Sequence, residues 1–247
     1  LLDEEIRAAK AAGKSAQDIA LLEKAKTEQM ALARAQADAA KADVGAGKAG
    51  AGREGPGVHV RMSRTKVPCF HPYDKPKFAA MNQAEQKAYL KEMADQLRRQ
   101  EQAINSFTAA EYKAARDAFE NAGVRNPLAK DLQAKFREKF VSDIQTSLRN
   151  SLPASVGATE GKAIAAARAR DIVSKLSAVH EPDMVAGGWL SPAPTSMGRA
   201  DVNSSIGASW NQGDRISTMN DAARNSIESG HGHEKMNVQL EVCKGRR

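Results

Sequence analysis

"NPLAKDLQAKFREKFVSDIQTSLRNS", residues 126–151, carries the clearest structural signal in this chain. Pro127 suits the first helical position, where a missing N–H leaves nothing unpaired. Leu128, Leu132, Phe136, Phe140, Ile144 and Leu148 then recur at every fourth residue. That spacing lines one side of an α-helix and predicts a buried stripe.

The same period continues on both sides. Residues 82–106 place Leu90, Met93, Leu97 and Ile104 on one helical face. Thr108 and Glu111 have the spacing of a capping box, and Gly123 suits the position just past the helix that follows. A further alanine-rich helix is predicted over roughly 159–178, with Ile164, Ala167, Ile172 and Leu176 on its apolar side, and a last one near 215–229.

Strands are few. "VHVRMS" (58–63) reads as a short strand, and "KMNVQLEVCKG" (235–245) alternates Met236, Val238, Leu240 and Val242 inward as a closing strand, with residue 60 as a possible neighbour. Residues 180–214, rich in Gly, Ser, Asn and Pro and holding Trp189 and Trp210, read as a long functional loop. The expected class is mostly α (α+β): a helical scaffold, a small C-terminal β element and that loop.

The chain has 247 residues. Residues 1–43 are rich in Ala, Glu, Lys and Gln, all strong helix formers, but hold few large apolar side chains. "GAGKAGAGREGPG" (45–57) has linker composition. The reading is an Ala-rich helical segment (1–43), a Gly-rich linker (44–58) and a main domain (59–247). Aromatic residues are only 4%, which favours helices packed through small side chains over a thick β-sandwich core. No apolar run nears the roughly 20 residues needed to cross a bilayer, so no stable membrane span is expected. The first residue is Leu, so the lack of a signal peptide says nothing about export. Cys69 and Cys243 are too few for a disulfide framework; they can pair only if the fold brings them together, and the plain reading is two reduced thiols.

The net charge is +7. Residues 1–57 hold nine basic and nine acidic side chains, so the whole excess lies in the rest of the chain. A basic domain beside a neutral one points to a polyanionic target.

The chemical signal is a repeated unit. His71 and Asp74 in "PCFHPYDKPKF", and His180 and Asp183 in "LSAVHEPDMVAGGW", are His-x-x-Asp pairs in Pro/Gly surroundings, and they use two of only five histidines. An imidazole can act as general base near neutral pH. A carboxylate can hold a hard divalent ion such as Mg²⁺. Phosphodiester hydrolysis needs both an activated water and a metal that stabilises charge on phosphate. Asp201, Asn203, Ser204 and Ser205 in "GRADVNSSIGASWNQG" are further candidates for metal or phosphate contacts, and Arg199 and Arg215 are candidates to hold a nucleic-acid backbone. Neither the nucleophile elbow Gly-x-Ser-x-Gly, nor a phosphate loop ending in Gly-Lys, nor a His-Glu-x-x-His helix is present. One His-x-x-Asp pair alone more often caps a helix end than performs catalysis.

With these motifs in place, "CFHPYDKPKF", "HEPDMVAGG", "DVNSSIGASWNQG" and "KMNVQLEVCKG" together resemble the toxin domain of Tde-type DNase effectors of type VI secretion, in the His-x-x-Asp "novel toxin 15" class. The resemblance covers roughly residues 60–245. It implies metal-dependent, largely non-specific cleavage of DNA in the cytoplasm of a competing bacterium. It also implies neutralisation by a cognate immunity protein, and loading onto a secretion spike or an adaptor/chaperone through the N-terminal segment. It carries catalysis to His180 and Asp183 first and to His71 and Asp74 second, with Asp183 and Asp74 as metal ligands. Two rivals remain open at this point: an RNase toxin, and a non-enzymatic nucleic-acid-binding or secretion-adaptor module.

Overall fold

The computed structural model describes Lys10 and residues 60–73, 75–153 and 155–245. The expected N-terminal segment and linker, Lys10 apart, lie outside the described residues, and so does Asp74.

Side-chain caps fix where the central helices begin. After β1 (Thr65–Lys66) and the single turn α1 (Pro76–Ala79), helix α2 runs over Gln83–Ile104. Asn82 Oδ1 accepts from the Glu85 amide at 3.0 Å, and Glu85 Oε2 accepts from the Asn82 amide at 2.9 Å. Helix α3 (Ala109–Ala122) opens on the expected Thr108–Glu111 box and ends at Gly123, which adopts the left-handed φ of 66°. A cap of this kind stabilises its helix by about 1 kcal/mol.

Helices α4 (Ala129–Asn150) and α5 (Ala158–Ser174) pack chiefly on one another as a hairpin. Here the structure corrects the sequence reading. The stripe from Leu128 to Leu148 is only half-buried, and Ala129 is the one buried residue of α4. A hairpin of two helices covers one side of each, so every-fourth-residue spacing defines a face without saying how deeply it is covered.

The expected alanine-rich helix stops at Ser174, and Leu176–Val179 becomes strand β2. It pairs antiparallel with β3 (Ser196–Arg199), Leu176 opposite Arg199 and Val179 opposite Ser196. Helix α6 (Ala200–Ser209) follows β3 directly, and α7 spans Arg215–Glu228. The stretch 180–214 is therefore more regular than its Gly, Ser and Asn content suggests, with two 3₁₀ turns at Met184–Ala186 and Gly188–Leu190 besides β3 and α6. The mostly helical α+β class stands.

The terminal strand β4 (Val238–Gln239) runs parallel to β1, Thr65 opposite Val238, with bridges at Arg61–Lys235 and Phe70–Val242 on either side. Asn105 completes the other edge of β4, accepting from the Val238 amide at 2.8 Å and donating to its carbonyl at 2.9 Å. Cys69 and Cys243 form a disulfide across this pair, with Cα atoms 5.0 Å apart. The expectation of two reduced thiols is thereby corrected; 174 residues separate them, and only the parallel pairing brings them together.

One core joins these pieces. Met93, Leu97 and Ile104 of α2, Tyr112 of α3, Val202 and Ile206 of α6, Trp210, Met219 of α7 and Met236 just before β4 are all buried in it. A smaller cluster seats Trp189 and Leu190 against Ala115 and Ala118 of α3. Among the described residues no helix is long and apolar enough to cross a membrane.

Candidate active site

β2 ends at Val179, and the next four residues form a turn that α2 holds from outside. Gln100, 2% exposed, reaches both ends of it. Its Nε2 donates to the His180 carbonyl and its Oε1 accepts from the Asp183 amide, each at 2.6 Å. Its neighbour Arg99 pairs with Glu181 at 2.5 Å, and Glu181 also accepts from the Thr195 hydroxyl at 2.6 Å and the Ser196 hydroxyl at 2.9 Å. Two consecutive residues of α2 thus fix three of the four turn positions, across a peptide that is cis at Glu181–Pro182.

The two glycines after the motif have a steric reason. Asp183 caps the first 3₁₀ turn, its Oδ1 accepting from the Val185 amide at 3.1 Å, while its carbonyl accepts from Ala186 at 2.8 Å and Gly188 at 2.9 Å. A Cβ on Gly188 would lie 2.0 Å from the Pro182 carbonyl oxygen, and Gly187 sits at φ 109°. Beyond them Trp189 Nε1 donates to the Val124 carbonyl, Asn126 donates to the Trp189 carbonyl, and Arg116 donates to the Val185 carbonyl. The turn is anchored on α3 and on the link between α3 and α4.

His180 and Asp183 face a cleft of about 420 Å³ that is also lined by Arg125, Gln133, Asn203, Ser204, Gly207 and Asn211. His180 is 8% exposed, and its Nε2 lies 2.9 Å from the Pro192 carbonyl oxygen. A carbonyl only accepts, so this contact places the proton on Nε2 and leaves Nδ1 as the basic nitrogen of the neutral ring. Burial lowers the imidazole pKa, the Pro192 contact opposes that, and the Arg125 charge adds to the lowering. Asp183 moves the other way: burial raises its pKa against the Val185 amide bond and Arg125. A half-buried carboxylate of this kind favours a cation beside it. A Cβ on Gly207 would be 3.6 Å from Asp183 Oδ2, so α6 passes close to that oxygen.

The donors suit a hard, hydrated ion. Asp183 and the amide oxygens of Asn203 and Asn211 line the cleft as oxygen donors, and Mg²⁺ commonly takes one or two carboxylates and keeps several waters. Among the described residues no group of three or more His, Cys, Asp or Glu side chains could hold a metal, which does not fit a closed zinc centre.

The remaining sequence candidates separate. His71 packs its ring edge-on against Tyr73 at 5.4 Å and does not line this cleft. Arg199 and Asp201 grip each other at 3.0 and 2.7 Å, with the guanidinium over the Tyr89 ring, and Asp201 lines a neighbouring cleft. Arg215, expected on a DNA backbone, is 5% exposed and donates to the Ser209, Gln212 and Cys69 carbonyls above the Phe70 ring. A guanidinium so enclosed ties α7 to the segment that holds Cys69. Gln100, Gln133, Arg125 and Asn211 were missed. Gln100 and Gln133 sit within ordinary helical pattern and Arg125 and Asn211 in short connections, so nothing in the sequence marked them.

Fold and site together define a helical α+β domain organised around a half-buried His-x-x-Asp turn. The family model described as novel toxin 15 matches residues 87–243, and the chain belongs to that family of polymorphic toxin domains. The match takes in His180 and Asp183, while His71 precedes it. No curated protein matches the chain.

Proposed function

We propose that this toxin hydrolyses phosphodiester bonds of DNA in a Mg²⁺-dependent reaction at the His180–Asp183 cleft. The observation that carries the reading is the cleft itself: His180 and Asp183, held on one braced turn, share it with Arg125. Asp183, with Asn203 and Asn211, would hold the ion. When bound, Mg²⁺ stabilises negative charge on the scissile phosphate and acidifies water. His180 Nδ1 receives the proton of the attacking water, and the Pro192 carbonyl keeps the ring in the tautomer that leaves Nδ1 free to do so. Arg125 binds a phosphate oxygen, a contact that carries no sequence information and so agrees with indiscriminate cutting.

In this reading the chain is an antibacterial effector delivered by type VI secretion. Its N-terminal segment engages a secretion spike or an adaptor/chaperone, its target is the DNA of the recipient cytoplasm, and a cognate immunity protein protects the producer. His71 supports the domain from outside the cleft.

The test is incubation of purified protein with supercoiled plasmid and, separately, with structured RNA, in Mg²⁺ and in EDTA. Plasmid nicking that the chelator abolishes is expected. RNA cleavage without metal would replace this reading with a metal-independent RNase, and binding without cleavage of either would point to a nucleic-acid-binding module.

A further inference from the structure

Helix α6 has a second cleft beside the first. Its volume is about 740 Å³, and Lys75, Lys77, Phe78, Tyr89, Ala200, Asp201, Ser204, Ser205 and Ala208 line it. Successive residues of a helix turn by roughly 100°, so Asn203 and Gly207 share one face while Asp201, Ser205 and Ala208 share the adjacent one. Ser204 lies on the ridge between them and lines both clefts.

The chemistry of this second cleft differs from that of the first. Two lysines stand on its α1 side. Apolar walls come from Phe78, Tyr89, Ala200 and Ala208, and polar edges from Ser205 and the Asp201–Arg199 pair. An apolar slot with hydroxyl edges beside cationic side chains fits one ligand class well: a planar base that carries a phosphate.

We propose that this second cleft binds the nucleotide next to the scissile phosphate, with its base against Phe78, Tyr89 and Ala208 and its phosphate on Lys75 and Lys77, so that the strand crosses α6 at Ser204. The proposal rests on the nuclease reading of the first cleft. Tyr89 suits the task, because it lines the cleft beside Ser205 and offers both an aromatic ring and a hydroxyl. Ala208 is exposed, so a larger side chain there fills the cleft without entering the core.

The experiment compares two substrates in the full chain with Mg²⁺. One is a short single-stranded DNA, which offers a flanking nucleotide. The other is bis(p-nitrophenyl) phosphate, a phosphodiester without one. Lys75→Ala combined with Lys77→Ala, and separately Ala208→Leu, should each lower kcat/KM on DNA about tenfold and leave the small diester within twofold. The double lysine variant should also flatten the salt dependence of DNA binding by roughly one phosphate contact or more. Unchanged DNA cleavage overturns the proposal while leaving the nuclease reading intact. Equal loss on both substrates also overturns it, since the cleft is then scaffold. A wild type that cleaves neither substrate removes both readings together.

Discussion

Gln100 and Asp183, 83 residues apart in sequence, share a hydrogen bond of 2.6 Å from the Asp183 amide to Gln100 Oε1. The other end of the same side chain donates to the His180 carbonyl. One buried amide therefore spans the motif and sets the separation of its two functional side chains.

Removing that brace tests its importance. Gln100→Leu leaves a buried N–H and a buried carbonyl unsatisfied, at about 1–3 kcal/mol each. The expected result is a drop in denaturant stability of roughly 2–4 kcal/mol and a loss of activity of at least tenfold. Gln100→Glu keeps the bond to the Asp183 amide but cannot donate to His180 while ionised, so it should fall between wild type and Gln100→Leu in both readings.

Glycine positions provide a graded series. A Cβ at Gly188 meets backbone oxygen at 2.0 Å, so Gly188→Ala should cost on the order of 3 kcal/mol or more and abolish activity with it. At Gly198 the nearest atom is the end of the Gln96 side chain at 2.6 Å, which can move, and the cost should be smaller. Gly230 has only its φ of +83° against it, with nothing within 4 Å of a Cβ, and should lose about 1 kcal/mol. Urea denaturation of the three variants checks the order.

The Arg199–Asp201 pair makes stability depend on pH in a defined direction. Hydrogen bonding from Arg199 holds the Asp201 carboxyl below its ordinary pKa, against the effect of burial. The unfolded chain then takes up the proton first. The stabilisation is complete above the unfolded value of about 3.9 and disappears as pH falls through the lower folded value. The pair is about one-third exposed, so its contribution should be no more than about 1 kcal/mol. The gap in melting temperature between wild type and Asp201→Asn should narrow steadily below about pH 4.

The disulfide should matter most to the terminal strands. Closing a loop of this length stabilises by on the order of 4–5 kcal/mol in the chain-entropy account. Cys69→Ser combined with Cys243→Ser, or a dithiol reductant on the wild type, should lower the urea midpoint, and both treatments together should do no more than either alone.

How much of this could be read from the sequence varies with the range of the interaction. The Thr108–Glu111 box, Gly123 and the 215–229 helix depend on neighbours a few residues away, and their spacing announced them. The inward alternation of Met236, Val238 and Leu240 was equally local, and all three are buried. His180 and Asp183 stood out because histidine is scarce here and Pro-Gly surroundings mark a turn.

What escaped depends on partners far along the chain. Gln100 looks like any polar helix residue until His180 is folded against it. Arg215 looks like a surface cation until the Cys69 carbonyl meets it from 146 residues away. The residues around 196–209 read as loop because Gly and Ser weaken local preference, whereas pairing with β2 and burial of Val202 and Ile206 impose a strand and a helix.

The central claim is that His180 and Asp183 form one hydrolytic centre that His71 does not share. The most direct test is Mg²⁺-dependent plasmid nicking by His180→Ala, Asp183→Asn and His71→Ala, each confirmed as folded by its thermal midpoint. Loss of 10²-fold or more in the first two, with His71→Ala within about fivefold of wild type, is the expected result. Full nicking by either His180→Ala or Asp183→Asn, or a loss in His71→Ala as deep as in His180→Ala, would contradict it.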